Sequence, residues 1–143
     1  MNNITSQKSG LRTPPALTGE NYVDLAKNVI KNLETEKYGK DKTRPRLTTS
    51  KIRNLLAMNT DIYNDVRNIQ GNELDNSIKE RINYMKVRFI YEAGRDGIVK
   101  DFVEKSNIIN YMKSICDKSS YILFSRYMEA LVAYHRYYGG KDQ

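Results

Sequence analysis

The chain has one cysteine, one histidine and no tryptophan, and each scarcity narrows what it can do. A single thiol, Cys116, allows neither an internal disulfide nor a cysteine-caged zinc. Set beside apolar residues, it is expected as a small core thiol and not a nucleophile. A lone His135 supplies no pair for acid–base nuclease chemistry and no histidine-rich metal site. Its place on the apolar stripe of its helix points to a hydrogen-bonded structural role. Arg126 stands too far from it for the Arg-x4–6-His spacing of helical ribonucleases. Asp61 and Asp65, four apart, could share a Mg²⁺ ion, although such pairs more often form a solvated face. Neither a phosphate-cradling glycine loop nor a Ser/His/Asp arrangement occurs. The expectation is therefore no catalytic residue, no metal and no cofactor. A signal peptide and a run long enough to cross a bilayer are also missing, which points to the cytoplasm and away from membranes.

What the chain does have is positive charge and tyrosine. Its 143 residues fit a single domain, and 24 Lys and Arg against 17 Asp and Glu give a net charge of +7. That balance favours a polyanionic partner, nucleic acid or an anionic surface, with solubility alone as an equal alternative reading. Eleven tyrosines suit half-buried positions with one wet end, RNA-facing ones included, though packing explains most of them.

Periodicity gives the organisation. Residues 1–17 are rich in Asn, Ser, Thr and Pro and read as a disordered arm, kept extended by Pro14-Pro15. A first helix opens near Thr18 or Gly19, with Tyr22, Leu25, Ala26, Val29, Ile30 and Leu33 on one face. From Glu34 to Leu47 the period is lost. Lys37, Lys40, Lys42, Arg44 and Arg46 crowd there around Gly39 and Pro45, as in a mobile loop that touches phosphates or merely sits in water. Thr48-Thr49-Ser50 caps a second helix, whose buried face is Ile52, Leu55, Leu56, Ile62, Tyr63, Val66 and Ile69. Lys51 and Arg53 lie in its first turn, where the helix dipole disfavours cations. That placement suggests an anion held jointly with free backbone N–H groups, or two tolerated surface charges.

Asp75 or Asn76 caps a third helix with two apolar stripes. Ile78, Ile82, Met85 and Phe89 form one; Tyr84, Val87 and Tyr91 form the other, so a central position is expected. Arg81, Arg88 and Arg95 recur every seven residues along one edge, and Lys79 and Lys86 mark the other. Cations about 10 Å apart suit a phosphate backbone, unless a neighbouring helix or Asp75 or Glu80 neutralises them. A fourth helix puts Ile98, Phe102, Ile109, Met112 and Cys116 on one face, weakened at Ser106-Asn107. Asp117-Lys-Ser-Ser120 caps the last helix. Tyr121, Phe124, Met128, Leu131, Val132 and His135 form its core stripe, and Gly139-Gly140 ends it. Opposite that stripe, Leu123, Ala130 and Tyr137 form a seam that another helix or a second copy would cover. No stretch shows a strand period. The expected fold is all-α, a compact bundle of about five helices over residues 18–140, with a short tail at 141–143.

Three stretches resemble the small helical subunit of type III-A CRISPR (Csm) effector complexes. They are Leu47-Thr-Thr-Ser-Lys-Ile-Arg-Asn54, the Tyr84-to-Arg95 segment with Lys86 and Gly94-Arg95, and Glu129-Ala-Leu-Val-Ala-Tyr-His-Arg-Tyr-Tyr-Gly-Gly140. The resemblance covers about Thr18 to Gly140. It implies a helical bundle without a catalytic centre, lining and monitoring the guide RNA–target RNA duplex beside repeated backbone subunits and further copies of itself. By position it makes Lys51, Arg53, Lys86, Arg88 and Arg95 RNA-contact candidates; Arg81 joins them from the charge pattern. Lys42, Arg44 and Arg46 are carried less firmly, because family loops differ there. The alternatives are a helical DNA-binding or nucleoid-type protein, or an adaptor that binds no nucleic acid.

Overall fold

In the computed structural model, residues 13–142 are described, and four of their six helices begin at a capping side chain. The order is α1 (Tyr22–Lys31), β1 (Thr35–Tyr38), β2 (Lys42–Pro45), α2 (Thr49–Val66), α3 (Asn76–Arg95), α4 (Gly97–Lys105), α5 (Ile108–Lys113) and α6 (Lys118–Tyr137). Thr48, Asp75, Asp96 and Asp117 each take an extended conformation and accept a backbone N–H from the turn they open. At α6 the cap is reciprocal: Asp117 accepts from the Ser120 N–H, and the Ser120 hydroxyl receives the Asp117 N–H. These bonds occupy donors that a helix start would otherwise leave without partners.

The protein is mostly α-helical, with two departures from the expected elements. The expected fourth helix is two, so the described residues hold six. Asn107 adopts φ 55°, the left-handed region that asparagine tolerates better than most residues, and this separates α4 from α5. The buried Tyr127 hydroxyl donates to the Ser106 carbonyl at 2.8 Å, satisfying an oxygen at the break. The second departure is the basic loop, which is an antiparallel hairpin with Glu36 opposite Arg44. Gly39 (φ 60°) and Asp41 (φ 59°) turn it. A period of two was invisible because both strands are charged and largely exposed. Their cohesion comes from Arg44 Nε on the Glu36 carboxylate at 2.9 Å and from Arg46 N–H on the Glu34 carbonyl at 2.8 Å.

Helix α6 is the central element, with α1 and α2 packed on it; α3 packs on α2 and is backed by α4 and α5. Tyr121, Phe124, Met128, Leu131 and His135 of the expected stripe are buried, as is Tyr127. Tyr121 donates to the Asn59 side-chain oxygen at 2.5 Å, and Asn59 donates to Ser125 Oγ at 3.2 Å. This closed polar set joins α2 to α6 inside the core and lets asparagine be buried without an orphaned amide. The opposite seam is not continuous: Leu123 and Ala130 are half-buried, and Tyr137 is 77% exposed. Cys116 is exposed, not a core thiol, because it lies in the α5–α6 connection beyond the face that buries Met112. Of the N-terminal arm, residues 1–12 lie outside the described set. The following stretch runs along the bundle, where Tyr111 donates to the Pro15 carbonyl at 2.8 Å.

The last helix ends as the glycine pair suggests. Gly139, at φ 90°, donates to the Arg136 carbonyl, and Gly140 donates to the His135 carbonyl at 2.8 Å. These are the two bonds of a Schellman cap. Gly140 is fixed by space as well, since a Cβ there would fall inside the His135 imidazole. The ring is buried and bonds the Leu47 carbonyl through Nε2 at 2.6 Å. A carbonyl only accepts, so Nε2 carries the proton, and buried Nδ1 has no partner. Beyond the ring, the Lys141 and Asp142 carbonyls accept the Thr49 and Ser50 N–H groups.

Two outcomes follow from this clasp. Gly140→Ala is expected to cost about 1–3 kcal/mol, as overpacking does, and to lower Tm by several degrees in a calorimetric scan. An unchanged Tm would show that the tail moves aside freely. Burial holds the His135 pKa below its ordinary value, the Leu47 bond opposes this in part, and Arg136 adds to the lowering. The unfolded chain therefore binds a proton near pH 6.5 that the folded chain resists, so stability falls as pH drops below that value. Denaturant midpoints measured from pH 7.5 to 5 should decline in the wild type. They should stay flatter in His135→Gln, since this is the sole histidine.

Candidate nucleic-acid interface

The sequence-predicted cations do not form one patch. Lys51, Arg88 and Arg95 come together in a groove between the first half of α2 and the second half of α3. Arg53 is two residues from Lys51, about 200° around the helix, and lies exposed on another side of α2. Lys86 lies across α3 from the groove, beside Lys79 of the same helix and Lys113 of α5. Lys42, Arg44 and Arg46 belong to the hairpin.

The groove is built by spacing. Arg88, Tyr91, Glu92 and Arg95 sit one turn apart on α3, so their side chains stack along one edge. Arg88 donates to Glu92 at 3.2 Å, and Arg95 Nε forms an ion pair with the other Glu92 oxygen at 3.1 Å. Both guanidiniums lie over the Tyr91 ring, 5.1 and 5.8 Å from its centre. From α2, Lys51 Nζ reaches Asp96 at 2.6 Å. Asp96 is also the N-cap of α4, accepting from Ile98 and Val99. Lys51 above all, helped by those backbone bonds, holds its carboxyl below the ordinary aspartate range against the cost of burial. Tyr84 (64% exposed) lines the groove, and Tyr91 (54%), Val87 and Ile90 are exposed on α3 beside it. The second stripe of α3 thus faces solvent, and the helix is not central: α2, α4 and α5 all cover its other side.

The remaining candidates differ in how firmly they are held. Arg81 bonds Asp65 of α2 at 2.6 Å, which clips the two helices together and commits one of the two carboxylates considered for Mg²⁺. Arg44 bonds Glu36, which Lys141 also reaches, and stacks on Tyr38 at 4.5 Å. Arg46 stands 3.7 Å from Glu34. Lys42, Arg53 and Lys86 have no ion-pair partner among the described residues. The start of α2 is not an anion site. Thr49 and Ser50 donate to the C-terminal tail, Lys51 to Thr48 Oγ1 and Ile52 to the Thr48 carbonyl, so no N–H is left free. Among the described residues, no group of three or more His, Cys, Asp or Glu could hold a metal ion, and no helix is long and apolar enough to cross a membrane.

Sequence reasoning missed Glu92 and Asp96 as parts of the groove. Glu92 was legible, being i+4 from Arg88 and i−3 from Arg95. The meeting of Asp96 with Lys51, 45 residues away, carries no local signal. Asp96→Ala removes an N-cap and frees Lys51 together. It is expected to cost about 0.5–2 kcal/mol, read as a lower denaturant midpoint. A midpoint equal to wild type would mean that α4 starts without it.

Comparison with known proteins gives the family of the chain. The family described as Csm2 Type III-A matches residues 25–141. A "CRISPR system Cms protein Csm2" of Streptococcus thermophilus is 44% identical over 126 residues, covering 88% of this chain and 98% of that protein. The protein of the same name from Mycobacterium tuberculosis is 34% identical over 125 residues, 87% and 96% of the two chains. That of Enterococcus italicus is 36% identical over 95 residues, 64% and 68%. With matches of this length, the chain belongs to the Csm2 family of type III-A CRISPR systems.

Proposed function

We propose that the chain is a non-catalytic, RNA-binding small subunit of the type III-A effector, holding the guide RNA–target RNA duplex by its phosphate backbone. The α2–α3 groove is the observation that supports this best. There Lys51, Arg88 and Arg95 converge from two helices beside the exposed rings of Tyr84 and Tyr91. An A-form duplex hides its base edges in a deep, narrow major groove, so a protein that must accept any guide sequence does best to grip phosphates and sugars. Guanidiniums suit that task, because each offers five donors in a planar fork and only one is engaged by Glu92. Lys86 with Lys79 and Lys113 supplies a second positive ridge beyond the outer face of α3, and Lys42 extends the basic hairpin.

The partners in this reading are guide RNA, target RNA, the repeated backbone subunits and further copies of the chain, in the cytoplasm and without a cofactor. Val87 and Ile90, exposed between the two charged edges, and Tyr137 on α6 are the surfaces that protein neighbours would cover. A duplex-DNA reader usually exposes one polar recognition helix, whereas the exposed face of α3 is apolar at its middle, which favours the ribonucleoprotein reading.

Titration of a labelled RNA duplex at several salt concentrations tests it. Lys51→Ala, Arg88→Ala and Arg95→Ala should each flatten the log K against log salt slope by about 0.7–0.9, with the same loss on unrelated sequences. Arg126→Ala, an exposed charge on α6 away from the groove, should change little. Wild-type slopes in all three groove variants would remove the groove from the RNA-binding surface.

A further inference from the structure

We propose that Glu92 is a phosphate surrogate within the chain: it positions Arg88 and Arg95 over Tyr91 and yields them when a backbone phosphate enters. This rests on the RNA-binding reading of the groove and adds a residue that weakens binding on purpose.

The groove holds two carboxylates, and only one has a structural reason to be there. Asp96 caps α4 and ends α3, so its charge is needed wherever Lys51 stands. Glu92 caps nothing. It lies in the last turn of α3, where the negative end of the helix dipole disfavours a carboxylate. Its recorded polar partners are Arg88 and Arg95, one on each oxygen. The guanidiniums are held in place twice, by Glu92 at their edges and by the Tyr91 face beneath them. Tyr91 would still support them if the carboxylate let go.

The geometry of release is favourable. The Glu92 side chain is 26% exposed and those of Arg88 and Arg95 are 38% and 63%, so water reaches the site and a phosphate can follow. Each contact is single and longer than 3 Å, not the short bidentate pairing of a committed ion pair. By contrast Lys51–Asp96 and Arg81–Asp65 close to 2.6 Å. A phosphodiester offers the two arginines the same pair of anionic oxygens that Glu92 offers now. Two anions cannot share the site without repulsion, so one replaces the other.

The test compares Glu92→Gln with Glu92→Asp in the full chain, titrating a labelled A-form RNA duplex between 50 and 200 mM salt, on the order of the range where such contacts are read. Glu92→Gln keeps size and removes charge. Breaking two half-exposed pairs, each able to hold back up to about fivefold, should tighten binding about two- to twentyfold. The salt slope should stay near the wild-type value, because the same phosphate is engaged once Glu92 has yielded. Glu92→Asp keeps the charge and should stay near the wild-type affinity. Glu73→Gln, which removes an equal charge from the exposed α2–α3 connection, should not reproduce the gain. If Glu92→Gln binds more weakly than wild type, or no more tightly, the exchange is wrong and Glu92 is only a brace. If Glu73→Gln tightens binding equally, net charge alone acts and the proposal fails. A wild-type chain that binds no RNA at all would defeat the groove reading itself, an outcome distinct from either.

Discussion

The contact on which the rest of the molecule depends is the imidazole of His135 against the Leu47 carbonyl and Gly140. One buried ring joins the exit of the hairpin to the central helix and the C-terminal tail, 88 residues further on. The tail then donates its carbonyls to the first N–H groups of α2, so the start of that helix is set by the end of the chain. Lys51 lies in that first turn, and its reach to Asp96 sets the floor of the groove. A charged surface site is thus anchored through a neutral core histidine. The ring must stay neutral for this to work, because a proton on Nδ1 would meet no acceptor.

A second constraint comes from the short helices. Asn107 turns the chain so that α4 and α5 both lie behind α3, burying Ile78, Ile82, Met85, Phe89 and Ala93. Nothing within the described chain covers the opposite side, which leaves Tyr84, Val87, Ile90 and Tyr91 in solvent. A helix with two apolar faces need not be central. It can be peripheral in the monomer and central in an assembly, and sequence periodicity alone does not distinguish the two.

That distinction marks where the sequence was legible. Core stripes, caps and the glycine stop were readable because each is local: a period of 3.6, an oxygen at the N-cap, a left-handed residue after the last turn. The resemblance of three short motifs placed the family before any coordinates. The hairpin was not readable, since its strands are polar on both faces and are tied by a cross-strand ion pair that only the register reveals. Cys116 was misplaced for a similar reason, because the face count ran through a break in the helix. At the groove, the cations were named and their convergence was not. Lys51 and Arg53 look like one motif in sequence and point to different sides of α2, whereas Lys51 and Arg95 are far apart in sequence and line one groove.

The pairing of these cations also bears on how a basic protein can be both stable and ready to bind. Of the nine candidate residues, six have a carboxylate partner among the described residues, and Lys42, Arg53 and Lys86 do not. Bare cations clustered in one groove would repel each other and lose side-chain entropy on binding. In the proposed role, acids that hold them before RNA arrives would remove part of that ordering cost and then weaken the final affinity. On the proposed reading, in which the subunit accepts every guide and target alike, that exchange is advantageous. Affinity from unpaired charge would favour any polyanion, whereas cations already set in fixed places favour one whose phosphates match their spacing. On the proposed reading, the convergence of Arg88 and Arg95 on a single carboxylate would be a selective feature of the site as well as a source of attraction.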